Sequence, residues 1–157
     1  MAPRPRQAGF TLIELITIAL ILGILSGVAI PRLYTGYDEA AIGATVSHLK
    51  TIALAAEMLQ NETGDWPSDA ATGDLPTELS GFLRPNLFAV ACPTGGAYEW
   101  DTNVDSVAAR VKIVRETNER SVWVRIDSLL DDGALTTGRM TAEITAGRDE
   151  LRWVIDP

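Results

Sequence analysis

Only one cysteine, Cys92, occurs in the 157 residues, so no intramolecular disulfide is available to staple the fold. Next to Pro93 it reads as a small buried hydrophobe, a reactive or lipidated thiol being the other reading. Cations are scarce as well: 13 Lys and Arg against 21 Asp and Glu leave a formal charge of -8. Affinity for phosphate backbones comes from clustered Lys and Arg, and no basic patch follows the first few residues, so no nucleic acid is expected as a partner. There is a single histidine, His48, away from any nucleophile or metal-like cluster, and a surface or partly buried polar role is expected for it. No Ser/His/Asp set, Gly-rich phosphate loop or zinc spacing occurs, so no enzymatic chemistry is expected. The length admits one modest domain with appendages and argues against a two-domain enzyme.

What the chain does have is a long apolar run, FTLIELITIALILGILSGVAI, from Phe10 to Ile30. As a helix it measures about 32 Å, against a hydrocarbon core of about 30 Å, so it can span a bilayer. Arg4 and Arg6 precede it and Arg32 follows it, while everything beyond Tyr37 is dominated by Asp and Glu. The positive-inside tendency keeps the short basic arm cytoplasmic and puts the acidic part outside. A secretory signal peptide has a shorter apolar core with its cleavage site after it; here any cut is expected before the run. One carboxylate, Glu14, interrupts the hydrocarbon, at a cost of about 2.5–3.5 kcal/mol on insertion scales. A bland reading lets Glu14 snorkel to the headgroups and do nothing further.

Beyond the run, Ile42, Val46, Leu49, Ile52, Ala53, Ala56 and Leu59 recur at three- and four-residue spacing between polar residues, the mark of an amphipathic helix with one buried stripe. Gly64, with Trp66 and Pro67 after it, should end that helix. If continuous, the two stretches form a rod of about 80 Å, with a weak section from Gly27 to Pro31, because Pro31 lacks an amide proton and crowds the carbonyl of Gly27. Residues 64–96 read as a long Gly- and Pro-rich connecting loop in which TELSGFLRP holds at most one helical turn. After Gly95-Gly96 come strand-like segments, AYEW, VAARVKIVRE, SVWVRID and LRWVID, with ETNER as a hairpin turn and ALTTGRMTAEITAG ambiguous between strand and short helix. The expected fold is α+β: a long N-terminal helix, half membrane segment and half amphipathic, packed on an antiparallel sheet of about four strands.

Gly9-Phe10-Thr11-Leu12-Ile13-Glu14-Leu15, followed by an apolar helix and Pro31, resembles the N-terminus of the type IV prepilin and type II secretion pseudopilin family. The likeness covers roughly the first 30 residues, and the remainder is too variable to match residue by residue. It implies a chain divided into a leader (1–9), a transmembrane and filament-core helix (10–33), an amphipathic helix half (34–63) and a loop-plus-sheet domain (64–157). It implies cleavage between Gly9 and Phe10 by prepilin peptidase and N-methylation of Phe10. It also implies a single-pass subunit of the bacterial inner membrane with its C-terminal domain periplasmic, passing from lipid into a filament of copies of itself and related pseudopilins on an inner-membrane assembly platform. Gly9 suits the cut physically, having no side chain to obstruct a protease. The cut leaves a cationic amine about 6 Å along the axis from Glu14. On this reading Glu14 is an unpaired cost in the precursor and selects subunit register once the amine of a neighbour reaches it.

Gly23 and Gly27 form a GxxxG, extended by Ala19, that permits close helix approach, although glycine is common in membrane helices anyway. In the family the stretch around the helix-breaking residues can unwind on assembly, and Gly23 to Pro31 is the matching segment. Major pseudopilins of type II secretion carry a calcium site near the C-terminus. Asp127, Asp131 and Asp132 offer oxygens for one, though their spacing does not match it and DDG is also an ordinary turn. The GDWP after the long helix and the lack of a cysteine pair favour a secretion pseudopilin. A type IV pilin or minor pilin of a pilus or DNA-uptake fibre is the alternative within the family, and a non-polymerising, signal-anchored periplasmic binding protein the alternative outside it.

Overall fold

Helix α1 runs from Leu12 to Thr63, 52 residues, and stops where Gly64 takes a left-handed φ of 86° with its amide bonded back to the Gln60 carbonyl at 2.8 Å. The structure, a computed structural model, describes residues 10–116, 120–145 and 147–157, and within residues 28–35 the backbone alone. The leader with Gly9, the side chain of Pro31 and the centre of the expected ETNER turn therefore lie outside the described residues. Two units make up the chain, Met1–Asp38 and Glu39–Pro157.

In the first unit every described residue from Phe10 to Gly27 is exposed. Eleven large hydrophobic side chains stand there, Phe10 at 79% exposure and Ile18, the least open, at 47%. Burying each stabilises by about 1.5–3 kcal/mol, so together they make a surface that water alone does not accommodate. Among the described residues, no helix is long and apolar enough to cross a membrane.

The second unit holds the core. The predicted stripe of Ile42, Val46, Leu49, Ile52, Ala53, Ala56 and Leu59 is buried throughout and shares one cluster with the apolar face of a sheet. That sheet is antiparallel, with β1 (Ala97–Val104), β2 (Val107–Arg115), β3 (Met140–Thr145) and β4 (Arg148–Asp156) in spatial order β1-β2-β4-β3. Alternation sorts the faces. The cross-strand rows Tyr98–Ile113–Leu151 and Trp100–Val111–Trp153 face the core, and the row Glu99–Lys112–Arg152 lies on the other face. That second face is a lattice of ion pairs. Lys112 Nζ lies 2.5 Å from Glu99 and 2.9 Å from Asp101, Arg110 pairs with Asp101 at 2.7 Å, and Arg148 and Arg152 both reach Glu150 at 2.8 Å. β1 and β2 join through Asp105 and Ser106, both at positive φ, as a two-residue hairpin of the primed kind requires. The outer edge of β1 is covered by the connecting loop, where Ala70 bridges Trp100 and the Gly73 amide donates to the Tyr98 carbonyl at 2.8 Å. The one helical turn expected in that loop is a 3-10 helix, Thr77–Gly81.

One expected strand is wrong. SVWVRID lies in a helix, α2, Arg120–Leu130, so ETNER does not join two strands. Val-Trp-Val-Arg-Ile alternates as a strand does, but burial falls on Trp123, Ile126 and Asp127, with Val122 and Leu130 half-buried, the three- and four-residue spacing of one helix face. The sheet keeps four strands because the ambiguous segment supplies β3.

Candidate functional site

At the N-terminus of α1, Thr11 and Glu14 form a capping box. The Thr11 amide donates to Glu14 Oε2 at 2.8 Å, the Thr11 hydroxyl donates to the same oxygen at 2.6 Å, and the Glu14 amide makes a long bond to the Thr11 hydroxyl at 3.4 Å. Glu14 is therefore partnered within a single subunit, where the sequence reading left it alone. The signal was present: Thr-x-x-Glu ahead of an apolar run is the signature of a helix start. Both donors reach Oε2, and Oε1 has no hydrogen-bond partner among the described residues. The other hydroxyls of the segment turn inward, Thr17 to the Ile13 carbonyl at 2.8 Å and Ser26 to the Leu22 carbonyl at 2.7 Å. That leaves Glu14 as the polar feature of an apolar surface, in a shallow groove with Phe10, Ile13, Thr17 and Ile18. At Gly23 and Gly27 an added Cβ would meet nothing within 4 Å. Their bare backbone serves no contact inside the subunit and is open to a neighbouring helix.

A second constellation forms where α2 runs into the loop before β3. Asp127, Asp131 and Asp132, expected only as a possible oxygen set, place carboxylate oxygens within 4.8 Å of one another. Asp127 is fully buried on the inner face of α2, and neither of its oxygens has a hydrogen-bond partner. Burial raises its pKa above the usual carboxylate range, the Asp132 and Asp131 charges add to the rise, and the Gly133 amide opposes it without reaching hydrogen-bond geometry. The other two acids are held from behind. Asp131 Oδ2 accepts from the amides of Arg139 and, at 3.0 Å, Met140. Asp132 accepts from the Ala134 amide and the Thr137 hydroxyl, each at 2.8 Å, and both keep its carboxyl below the usual range. Three convergent carboxylates, one of them buried and uncompensated, suit a hard cation with oxygen ligands such as calcium.

The remaining candidates are structural. Cys92 is buried, its sulfur 3.4 Å from the hydroxyls of Thr45 and Thr94. His48 is half-buried, its Nδ1 3.1 Å from the Tyr98 hydroxyl.

Against this geometry, three comparisons bear on the whole. The profile described as the prokaryotic N-terminal methylation motif matches residues 4–30, so the chain carries a prepilin-type N-terminus. Type II secretion system core protein G of Pseudomonas aeruginosa is 35% identical over 65 residues, covering 41% of this chain and 46% of that one. Fimbrial protein EcpC of Eikenella corrodens is 29% identical over 94 residues, covering 57% and 59%. The chain thus spans less than half the length of the core protein G relatives it matches. Among solved structures, the major type IV pilin PilA1 of Clostridium difficile superimposes with a TM-score of 0.57 at 15% identity, over 76% of this chain and 97% of that one. The fold is that of a type IV pilin: an N-terminal helix and a four-stranded antiparallel sheet.

Proposed function

We propose that this chain, a pilin fold behind a prepilin-type methylation motif, is a structural subunit of a type II secretion-type pseudopilus. In this role it is inserted in the inner membrane by its first helix, with its acidic domain periplasmic. Prepilin peptidase cuts between Gly9 and Phe10 and methylates the Phe10 amine. The subunit then polymerises with copies of itself and related pseudopilins on a membrane platform. It works by packing, and no catalysis is assigned to it.

The observation that carries the reading is the helix surface from Phe10 to Gly27: wholly exposed, apolar, glycine-notched and marked by one carboxylate. Lipid and then neighbouring helices are the two environments that suit it in turn. A charge in an apolar bundle contributes little net stability when paired, but is costly when unpaired, so Glu14 acts by penalising every register in which no amine meets it. Gly23, Gly27 and Pro31 would provide close packing and a place for the helix to yield on assembly. The type IV pilin reading keeps one specific support, the longer match to fimbrial protein EcpC.

Calcium would be held by Asp127, Asp131 and Asp132. When bound it supplies the positive charge that offsets the buried Asp127 carboxylate and ties the end of α2 to the start of β3.

Expression with a prepilin peptidase and assembly machinery tests the reading. Glu14→Ala should be inserted and cut normally but yield few filaments on shearing and electron microscopy, while Gly9→Leu should remain uncut. Normal filaments from Glu14→Ala would contradict the proposal.

A further inference from the structure

We infer that Arg139 is a positioning residue that couples the three-carboxylate site to the end of β4, so that cation binding at Asp131 and docking of Val154–Asp156 strengthen each other. This rests on the proposed cation site and adds its regulation. Arg139 stands where the chain leaves the acidic loop and enters β3, and its bonds face two ways. Its amide donates to Asp131 Oδ2, beside the Met140 amide at 3.0 Å. Its carbonyl accepts from the Val154 amide at 2.8 Å. Its guanidinium donates through Nε to the Val154 carbonyl at 3.1 Å and through Nη2 to the Ile155 carbonyl. The guanidinium is engaged by carbonyls rather than by the acids, so it does not stand in for the cation.

The end of β4 leans on this residue. The β3–β4 ladder stops at Met140 and Trp153, so residues 154–156 have no partner on β3. On the other side Arg110 pairs with Val154 and Ala109 with Asp156, which leaves Ile155 at a register shift without a partner on β2. Arg139 takes up the Val154 and Ile155 carbonyls, and a planar fork of donors suits two neighbouring carbonyls better than a single ammonium does. Beyond them the Asp156 carboxylate accepts from the Trp66 indole N–H at 3.3 Å, so the same stretch also holds the loop that follows α1.

The coupling is electrostatic in origin. Carboxylate oxygens of Asp127, Asp131 and Asp132 lie within 4.8 Å of one another. Like charges that close repel, and the repulsion works against the seat of Asp131 on the Arg139 amide. A cation turns the repulsion into attraction, fixes Asp131, and with it fixes the backbone that aims the Arg139 fork. Linkage makes the effect reciprocal: a docked β4 end presets Asp131 and raises cation affinity by the same factor.

The test uses calcium alone on the detergent-solubilised full-length chain. Affinity is read by calorimetric titration, and the β4 end by hydrogen exchange at the Val154 amide in calcium and in chelator. In the parent, calcium should slow exchange at Val154 about tenfold more than in the β1–β2 hairpin, within the usual range of coupling between sites. Arg139→Met keeps the backbone bonds and removes the fork. It should bind calcium about tenfold more weakly by the same linkage, and at saturating calcium it should lose the extra protection of Val154. Asp127→Asn, which touches no bond of Arg139, should lose that protection too. Parental affinity in Arg139→Met, or extra protection that survives in either variant, would overturn the inference. A less stable Arg139→Met with calcium protection intact would mean a purely structural role. Should Arg139→Met not fold, the parent decides: calcium bound with no extra protection at Val154 sinks the coupling and leaves the site standing. A parent that takes up no calcium removes the site, and the coupling with it.

Discussion

Glu14 and Asp127 stand in opposite relations to their surroundings. Glu14 is exposed yet partnered by Thr11, and Asp127 is fully buried yet without a hydrogen-bond partner. Asp127→Asn should therefore raise the thermal midpoint of the calcium-free chain, since a neutral amide escapes both the burial cost and the charges of Asp131 and Asp132. The proposed calcium site predicts that calcium stabilises the parent, by about 2.7 kcal/mol at a hundred times Kd, and that the same substitution abolishes this gain. Unfolding of the detergent-solubilised chain in calcium and in chelator reads both effects, and a destabilised calcium-free variant would contradict the assignment. On the outer face of the sheet the sign reverses. Lys112, its side chain only 7% exposed, lies between Glu99 and Asp101, so Lys112→Met removes the cation they share; Arg148 and Arg110 still reach those acids, and the cost in denaturant unfolding should fall below the figure of about 3–5 kcal/mol for a buried pair that loses its sole partner. The Thr11 partnership was legible in the sequence as Thr-x-x-Glu. The burial of Asp127 was not, because it depends on α2 being a helix that turns positions 123, 126 and 127 inward together.

Elements were legible in proportion to how strongly one period dominated. The stripe from Ile42 to Leu59 repeats over five turns and admits a single reading, and the structure buries all of it. In α2 the apolar residues Val122, Trp123, Val124 and Ile126 satisfy a two-residue alternation and a helical face equally well over so short a span. Tertiary packing decided for the helix. The loop between α2 and β3 depends on details that patterning does not reach. Gly138 has a φ of 77°, and a Cβ there would collide with the Asp131 carboxylate that accepts the Arg139 and Met140 amides. Gly138→Ala should thus cost about 1–3 kcal/mol in backbone strain and weaken the response to calcium that the proposed site predicts, because it displaces the Asp131 carboxylate. Gly147→Ala is the control: φ is 90° there, but an added Cβ meets nothing within 4 Å, so it should lose stability without losing the calcium response. Calorimetric titration of both variants with calcium makes the comparison.

At the scale of the molecule the two units divide the work. Glu39–Pro157 has its own core and a charged face laced with ion pairs, whereas in Met1–Asp38 the described stretch from Phe10 to Gly27 presents an exposed apolar surface. This asymmetry is what a subunit that passes from lipid into a filament requires, and it was readable in the sequence as a run of hydrocarbon ahead of an acidic domain. The account's central claim is that this N-terminus is processed for assembly. Intact mass of the chain purified from membranes of a host with an active prepilin peptidase tests it most directly. The account predicts a species lacking residues 1–9 and carrying one added methyl group on the Phe10 amine. A full-length, unmethylated chain under the same conditions would contradict it.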